Sequence, residues 1–271
     1  MRRRMLITLI ALLLFTAING QPARAQQAGK TYQQMTLAER SAFVSEQARR
    51  IAREISGHEY NFTASFEGDI QQAVNSYSRR LGNSGGDNLG KGDIRFVFER
   101  GQTQAPMLIA AFKARNVSPL IGLYIPWVES EYVNLESPNS MGSIGMFQFI
   151  PQTGEKFGLS AQDLLDVNKA ADAAAQYITQ NMEVFKDDPM KEALALLSYN
   201  RGEHRTGRDL KSVVNDQNRQ CSICALSAAR SKLDETFRKE SVYYVPAFFA
   251  AAIIGENPQT FGLQGNALST R

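Results

Sequence analysis

The chain is poor in metal-binding and redox side chains, because its 271 residues include only two cysteines and two histidines. A structural zinc site takes four ligands, and His58 and His204 have no matching spacing, so we expect no metal. No cofactor is expected either. Cys221 and Cys224 are predicted to form a small disulfide, because an exported chain folds in an oxidising compartment. A redox role for this CxxC is the alternative, although no βαβ pattern surrounds it.

Long apolar runs are scarce as well, and the clearest is the stretch of 14 residues from Met5 to Ile18. This is shorter than the roughly 20 residues that span a bilayer. The stretch follows three arginines and precedes the small-x-small site Ala23-Arg24-Ala25, so residues 1–25 are predicted to be a cleavable secretory signal. No cysteine follows the cut, so lipid attachment is not indicated. We expect a periplasmic or secreted protein without a membrane span after signal cleavage.

A strong excess of charge is missing. The formal net charge is +3, but four arginines lie in residues 1–25 and no acid does, so the remaining chain has a net charge of −1. Nucleic-acid binding proteins usually carry a basic excess that attracts phosphates. We therefore expect no nucleic-acid partner.

Sustained two-residue alternation is also missing, which argues against a sheet. The stretch Thr36-Leu-Ala-Glu39 is a capping-box pattern that opens a helix, and apolar residues at helical spacing follow it. Ile94, Phe96 and Phe98 are compatible with one short strand. From residue 106 onward the pattern is helical again. We predict a mainly α protein with a small helical region at 26–105 and a second, larger domain at 106–271.

Glu129 ends an apolar run and opens the segment ESEYVNLESPNSMGSIGMFQFIPQTG. Apolar neighbours disfavour the charged form of a carboxyl group and raise its pKa, which suits an acid catalyst. Glu131 comes two residues later, so on a helix it points away from Glu129. No sequence feature brings a second carboxylate to Glu129. Gly142 and Gly145 can turn the chain or let the backbone approach a ligand closely.

The segment resembles the catalytic core of the peptidoglycan lytic transglycosylases of the soluble-transglycosylase (SLT) type. That family carries Glu-Ser-x-aromatic, then Gly-x-x-Gly-x-x-Gln, then Pro-x-Thr. It also carries Ala-x-x-x-Tyr-Asn-x-Gly, matched by residues 195–202, and a late Tyr-Val-Pro, matched by residues 244–246. These matches form three separate segments, at residues 129–153, 195–202 and 244–246, which occur in the family's order, and the resemblance covers roughly residues 106 to 262. The resemblance implies a lysozyme-like α fold.

The resemblance also implies the site. Glu129 is the expected catalytic residue, and the expected substrate-binding residues are Ser130, Met146, Phe147, Gln148, Tyr199, Asn200 and Tyr244. The family's Tyr-Asn pair implies that the Tyr199 hydroxyl orients Glu129. Met146 and Phe147 could stack on sugar faces or belong to the core. The family usually has a serine three residues before its first glycine, where this chain has Asn139 between Ser137 and Ser140, so the contact residue there stays open.

The implied activity is lytic cleavage of the β-1,4 bond between N-acetylmuramic acid and N-acetylglucosamine in the glycan strands of peptidoglycan. One glutamate would act as acid and then as base, forming 1,6-anhydromuramic ends. A hydrolytic muramidase on the same fold is the first alternative, and a non-catalytic peptidoglycan-binding protein is the second. An unpaired buried acid argues against the second alternative, because a binding protein has no need of one.

Overall fold

The computed structural model describes residues 29–271, and the predicted signal at residues 1–25 lies outside this range. Three helices form the first part of the described chain: α1 (Leu37–Ser56), α2 (Ala64–Ser78) and α3 (Ile94–Ala114). The predicted capping box is confirmed, because Thr36 Oγ1 accepts a hydrogen bond from the Glu39 amide and Glu39 accepts one from the Thr36 amide. A polar, glycine-rich segment of turns joins α2 to α3.

The suggested strand at residues 94–98 is wrong. The Asp93 side chain accepts a hydrogen bond from the Arg95 amide and caps α3 at this point. Ile94, Val97 and Phe98 are buried while Phe96 is exposed, which is the spacing of one helix face. The apparent alternation was too short to distinguish a strand from the first turn of an amphipathic helix.

The later helices carry the predicted motifs. They are α4 (Pro119–Ser130), α5 (Pro151–Glu155), α6 (Val167–Val184), α7 (Lys191–Arg201), α8 (Glu203–Val213), α9 (Ser222–Ala228), α10 (Glu235–Lys239) and α11 (Tyr244–Glu256). Short 3-10 turns connect several of them, and the β-structure within residues 29–271 is one isolated antiparallel bridge between Ile144 and Phe149. The predicted mainly α, lysozyme-like architecture is confirmed.

Helix α4 is apolar nearly all round and is buried by its neighbours. It packs against α3 and α11, and α11 packs in turn against α2. Gly122 permits the close approach of α3, because a Cβ atom there would lie 2.3 Å from the Phe112 ring. The predicted division between residues 105 and 106 falls inside α3, whose buried side chains on both sides join the same core. The packing gives no boundary at this point, and the two-domain division stays a prediction.

The predicted disulfide between Cys221 and Cys224 is present, with its Cα atoms 5.2 Å apart. Both cysteines are buried, and the Cys224 sulfur accepts a hydrogen bond from the Thr63 amide. This hydrogen bond therefore joins α9 to the start of α2, while the disulfide itself closes a short local loop. Across residues 29–271, no helix is both long enough and apolar enough to span a bilayer.

Candidate active site

Glu129 lies in the last turn of α4, where the buried helix reaches the surface of the molecule. Its carboxyl group is half-buried, and Tyr244, the first residue of α11, donates a hydrogen bond of 2.7 Å to its Oε1 atom. Burial raises the pKa of Glu129 from 4.5 to about 7, and the hydrogen bond from Tyr244 opposes this rise. Near neutral pH the carboxyl group is thus available in both protonation states.

A cleft of about 480 Å³ opens beside Glu129. Three parts of the chain line it: the loop before α5, the helices α6 to α8, and the segment just before α11. Among the lining residues are Asn139, Gln148, Thr153, Tyr177, Tyr199, Asn200, Arg205, Thr236 and Glu240. The size lies in the range of small-ligand sites, which is roughly 300–1,000 Å³. Polar groups therefore converge on the raised-pKa carboxyl from several elements.

Helix α4 ends abruptly after Ser130, because Glu131 and Tyr132 both take left-handed backbone conformations. Glu131 points away from the cleft, as expected, and lies within 2.6 Å of Arg80 Nη1. Its other oxygen accepts a hydrogen bond from the Gly90 amide. The left-handed pair turns the chain sharply into the glycine-containing loop that forms one wall of the cleft.

Hydrogen bonds from side chains hold that loop in place. Ser130 donates a bond of 2.7 Å to the Met146 carbonyl, and Asn134 accepts one from the Met146 amide. Asn139 accepts bonds from two loop amides and donates one to Gln148 Oε1. Gln148 also donates to the Gly145 carbonyl. Of the three residues left open around position 139, Asn139 lines the cleft and orients Gln148.

The two motif glycines turn the chain. Gly142 and Gly145 both have positive φ angles, of 81° and 75°. A Cβ atom at Gly145 would lie 2.5 Å from the Leu164 carbonyl oxygen, so this glycine permits close contact with the protein's own backbone. These contacts explain the Gly-x-x-Gly spacing through loop geometry.

The predicted role of Tyr199 needs correction. Its hydroxyl donates a bond of 2.9 Å to the Phe147 carbonyl, whereas the hydroxyl that bonds Glu129 belongs to Tyr244. Tyr199 still lines the same cleft as the acid, and burial and then the charge of Glu129 raise the pKa of Tyr199 well above 10.0. The sequence could not separate the two tyrosines, since both belong to family motifs and their directions depend on the packing of α7 and α11.

Three of the predicted contact residues are buried, and for Met146 and Phe147 this position agrees with the core alternative. Met146 is 1% exposed, Phe147 is 0% exposed and Ser130 is 1% exposed, and the cleft has none of them in its lining. Phe147 stacks against Phe112 in the core. These residues support the cleft wall and do not offer a surface to a sugar. Gln148 and Asn200 line the cleft, and their contact with substrate stays a prediction.

Sequence reasoning missed several lining residues. Arg205 is exposed on α8, and Glu240 is exposed just before α11. Tyr177, on α6, packs against Tyr199 with ring centroids 5.6 Å apart. None of these stands in a motif that signals a site, so only the helix arrangement brings them to Glu129. No group of three His, Cys, Asp or Glu side chains within residues 29–271 is placed to hold a metal ion.

The helical fold is lysozyme-like, and burial raises the pKa of Glu129 in its cleft. Residues 106–221 match the model of the transglycosylase SLT domain family, and this part of the chain belongs to that family. The matched range includes Glu129, the loop and the Tyr199-Asn200 pair, but ends before Tyr244. No curated protein matches the chain.

Proposed function

We propose that this protein is a lytic transglycosylase that cleaves the β-1,4 bond between N-acetylmuramic acid and N-acetylglucosamine. The observation that carries the proposal is the Glu129 carboxyl, half-buried, without a cationic partner among the described residues, and with its pKa raised to about 7. The family match supports a peptidoglycan substrate. The predicted signal segment and the substrate together favour a periplasmic or secreted location.

In the proposed reaction, neutral Glu129 gives its proton to the glycosidic oxygen as the bond from the muramic C1 atom breaks. The N-acetyl group of the same sugar assists departure of the leaving sugar. The Glu129 carboxylate then takes the proton of the C6 hydroxyl, whose oxygen bonds to C1 and closes the 1,6-anhydro ring. No water is consumed. Intramolecular attack has a high effective molarity, which lowers the barrier by several kcal/mol.

A one-carboxyl mechanism is supported by the electrostatics of Glu129. Its pKa shift comes from burial and from Tyr244, without a contribution from a second carboxylate. A retaining hydrolase would place a second carboxylate about 5 Å away, and a charge that close would raise the pKa further. The arrangement therefore favours a substrate that supplies its own nucleophile.

The position of Glu240 favours one alternative function, that of a hydrolytic muramidase. Glu240 lines the same cleft, so its carboxylate would be the base that activates water in an inverting hydrolytic muramidase, a class in which the two acids lie about 6.5–9.5 Å apart. Such an enzyme would leave reducing sugar ends. Substitution of Glu240 by Gln would then remove the base and stop turnover, whereas a transglycosylase would keep most of its rate.

Mass spectrometry of the products from purified peptidoglycan tests the proposal. We expect fragments with 1,6-anhydromuramic ends, each lighter by one water than the hydrolytic product. Reducing ends from the wild-type protein would assign it as a muramidase. Binding to peptidoglycan without any released fragment would make it a binding protein.

A further inference from the structure

A second cavity of about 450 Å³ is lined in part by α2 and by the residues that directly precede Glu129 and Tyr244, and we call it the N-terminal pocket. It is lined by Asp69, Gln72, Ala73, Ser76, Tyr77, Arg80, Gly90, Trp127, Val128, Glu131, Tyr243, Pro246 and Ala247. The cleft shares none of these residues, yet Val128 and Tyr243 directly precede Glu129 and Tyr244. The acid and its tyrosine therefore lie between two separate cavities.

One face of α2 supplies most of the polar side chains of the N-terminal pocket. Asp69, Gln72 and Ser76 recur at three- and four-residue spacing, which places them along one side of the helix. The opposite side carries Ile70 and Val74, which are fully buried in the core. Gln72 and Ser76 are exposed, so their amide and hydroxyl groups are free to bind a polar ligand.

Aromatic side chains complete the N-terminal pocket. Tyr243 is 51% exposed at its rim, Tyr77 is half-buried, and Trp127 lies beneath them with 0% exposure. Trp127 Nε1 and Arg80 Nη2 are buried donors with no hydrogen-bond partner among the described residues. A buried donor without a partner is costly, and an acceptor oxygen at the pocket floor would satisfy it.

We propose that the N-terminal pocket binds the glycan strand on the far side of the cleaved bond from the cleft. A polymer cut in its interior extends in both directions from the catalytic acid, and the residues that directly precede the acid and its tyrosine line the N-terminal pocket. Amino sugars have apolar ring faces that pack on aromatics, together with hydroxyl and N-acetyl groups that bond amides and donors. This inference rests on the proposed function and gives α2 a part in substrate binding.

Binding measurements on the inactive Glu129→Gln protein test the proposal. Soluble, uncrosslinked peptidoglycan strands are the probe, and Tyr243→Ala and Gln72→Ala are added separately to this background. Both side chains are exposed, so neither change should disturb the fold. We expect Tyr243→Ala to weaken binding on the order of 10-fold, because truncation of an aromatic contact is usually among the largest losses in an interface. Gln72→Ala should have a smaller effect in the same direction.

Phe96→Ala is the matched control, because Phe96 is another exposed aromatic, 39% accessible, on α3 and outside both cavities. It should bind like the parent. Trp127 is the only tryptophan of the chain and lines the N-terminal pocket, so its fluorescence reports on occupation of that pocket. Strand binding should change this emission in the parent, and the change should be smaller with Tyr243→Ala.

Unchanged affinity in both pocket variants would overturn the inference. If the wild-type protein still forms anhydro ends in that case, the proposed function stands and only the second binding site fails. If the Glu129→Gln parent binds no strands and the wild type releases no fragments, the proposed function and the inference fail together.

Discussion

The last turn of α4 holds two glutamates in opposite settings. Glu129 is half-buried beside the cleft and has a tyrosine hydroxyl as its partner, so burial raises its pKa to about 7. Glu131 is more deeply buried, but Arg80 lies 2.6 Å away and Arg100 Nη2 lies 3.9 Å away. Glu129 thus has no cationic partner among the described residues, whereas Glu131, two residues later, lies between two arginines.

The comparison shows that the counter-charge, more than burial itself, decides what a buried carboxyl can do. A buried carboxylate paired with an arginine ties structural elements together, here the end of α2 to the end of α4. Without a cation, burial favours the neutral form, which can give up a proton. The sequence ESE contains both acids, and the left-handed turn at Glu131 sends them to different sides.

The largest expected effect follows from removing the unpaired acid. Glu129→Gln should reduce turnover on peptidoglycan about 10³-fold or more, because Gln cannot deliver or accept the proton and acid–base groups contribute roughly 10²–10⁴-fold. Release of anhydro fragments over time measures this loss. Gln is close in shape to neutral Glu, so strand binding should stay near the wild-type value.

Removing the paired acid should instead cost stability. Glu131→Gln leaves the buried charge of Arg80 without its partner, and we expect a loss of roughly 3 kcal/mol in the free energy of unfolding. Denaturant unfolding measures it. Glu136→Gln is the control, because Glu136 is exposed in the loop and its change should stay within about 0.5 kcal/mol. Equal stabilities of the two variants would contradict a structural role for Glu131.

The contrast between the two glutamates was only partly visible in the sequence. The apolar run before Glu129 and the resemblance to the SLT family indicated the acid and the mainly α fold. The expectation that Glu131 faces away followed from helical periodicity. Its cationic partners could not be predicted, because Arg80 follows α2 and Arg100 lies on α3, and only tertiary packing brings them near Glu131.

The sequence did not distinguish the residues that support the cleft wall from those that face the cleft. Met146 and Phe147 stand next to Gln148, but the loop turns at Gln148 with a positive φ of 50°, so the two apolar side chains enter the core and Gln148 faces the cleft. A motif thus includes residues that shape the loop as well as residues that contact the ligand.

Substitution of the two tyrosines near Glu129 should have smaller effects on turnover than loss of Glu129, and the effects should differ between them. Tyr244→Phe removes the bond to the carboxyl group, and we expect turnover to fall about 10-fold to 100-fold, or roughly 1.4–2.7 kcal/mol in the transition state. That bond lowers the pKa of Glu129, so its loss should move the falling, high-pH limb of the activity profile to higher pH. A merely structural role would leave the profile in place.

Tyr199→Phe is the matched control for this prediction. Tyr199 bonds the Phe147 carbonyl and not the acid, so its loss should act through the loop and leave the pH profile unshifted. A shift with Tyr199→Phe and none with Tyr244→Phe would restore Tyr199 as the tyrosine that positions Glu129.

The smallest expected effect is a dependence of stability on pH. The pKa of Glu129 is about 7 in the folded protein and near 4.5 when the chain is unfolded, so between these values the folded state holds a proton that the unfolded state has lost. This group therefore destabilises the fold progressively as pH rises from about 4.5 to about 7. Glu129→Gln lacks the titration, so its stability relative to wild type should rise across this window and then level off.

The size of this rise follows from the pKa difference. Each unit corresponds to about 1.4 kcal/mol, which would give about 3 kcal/mol for the full shift. Because the carboxyl group is half-buried and water reaches the cleft, we expect about 1–2 kcal/mol between about pH 4 and about pH 8. Urea unfolding of both proteins at the two pH values measures it. The same difference at both values would mean that Glu129 is not held neutral by burial, and the contrast with Glu131 would then rest on geometry alone.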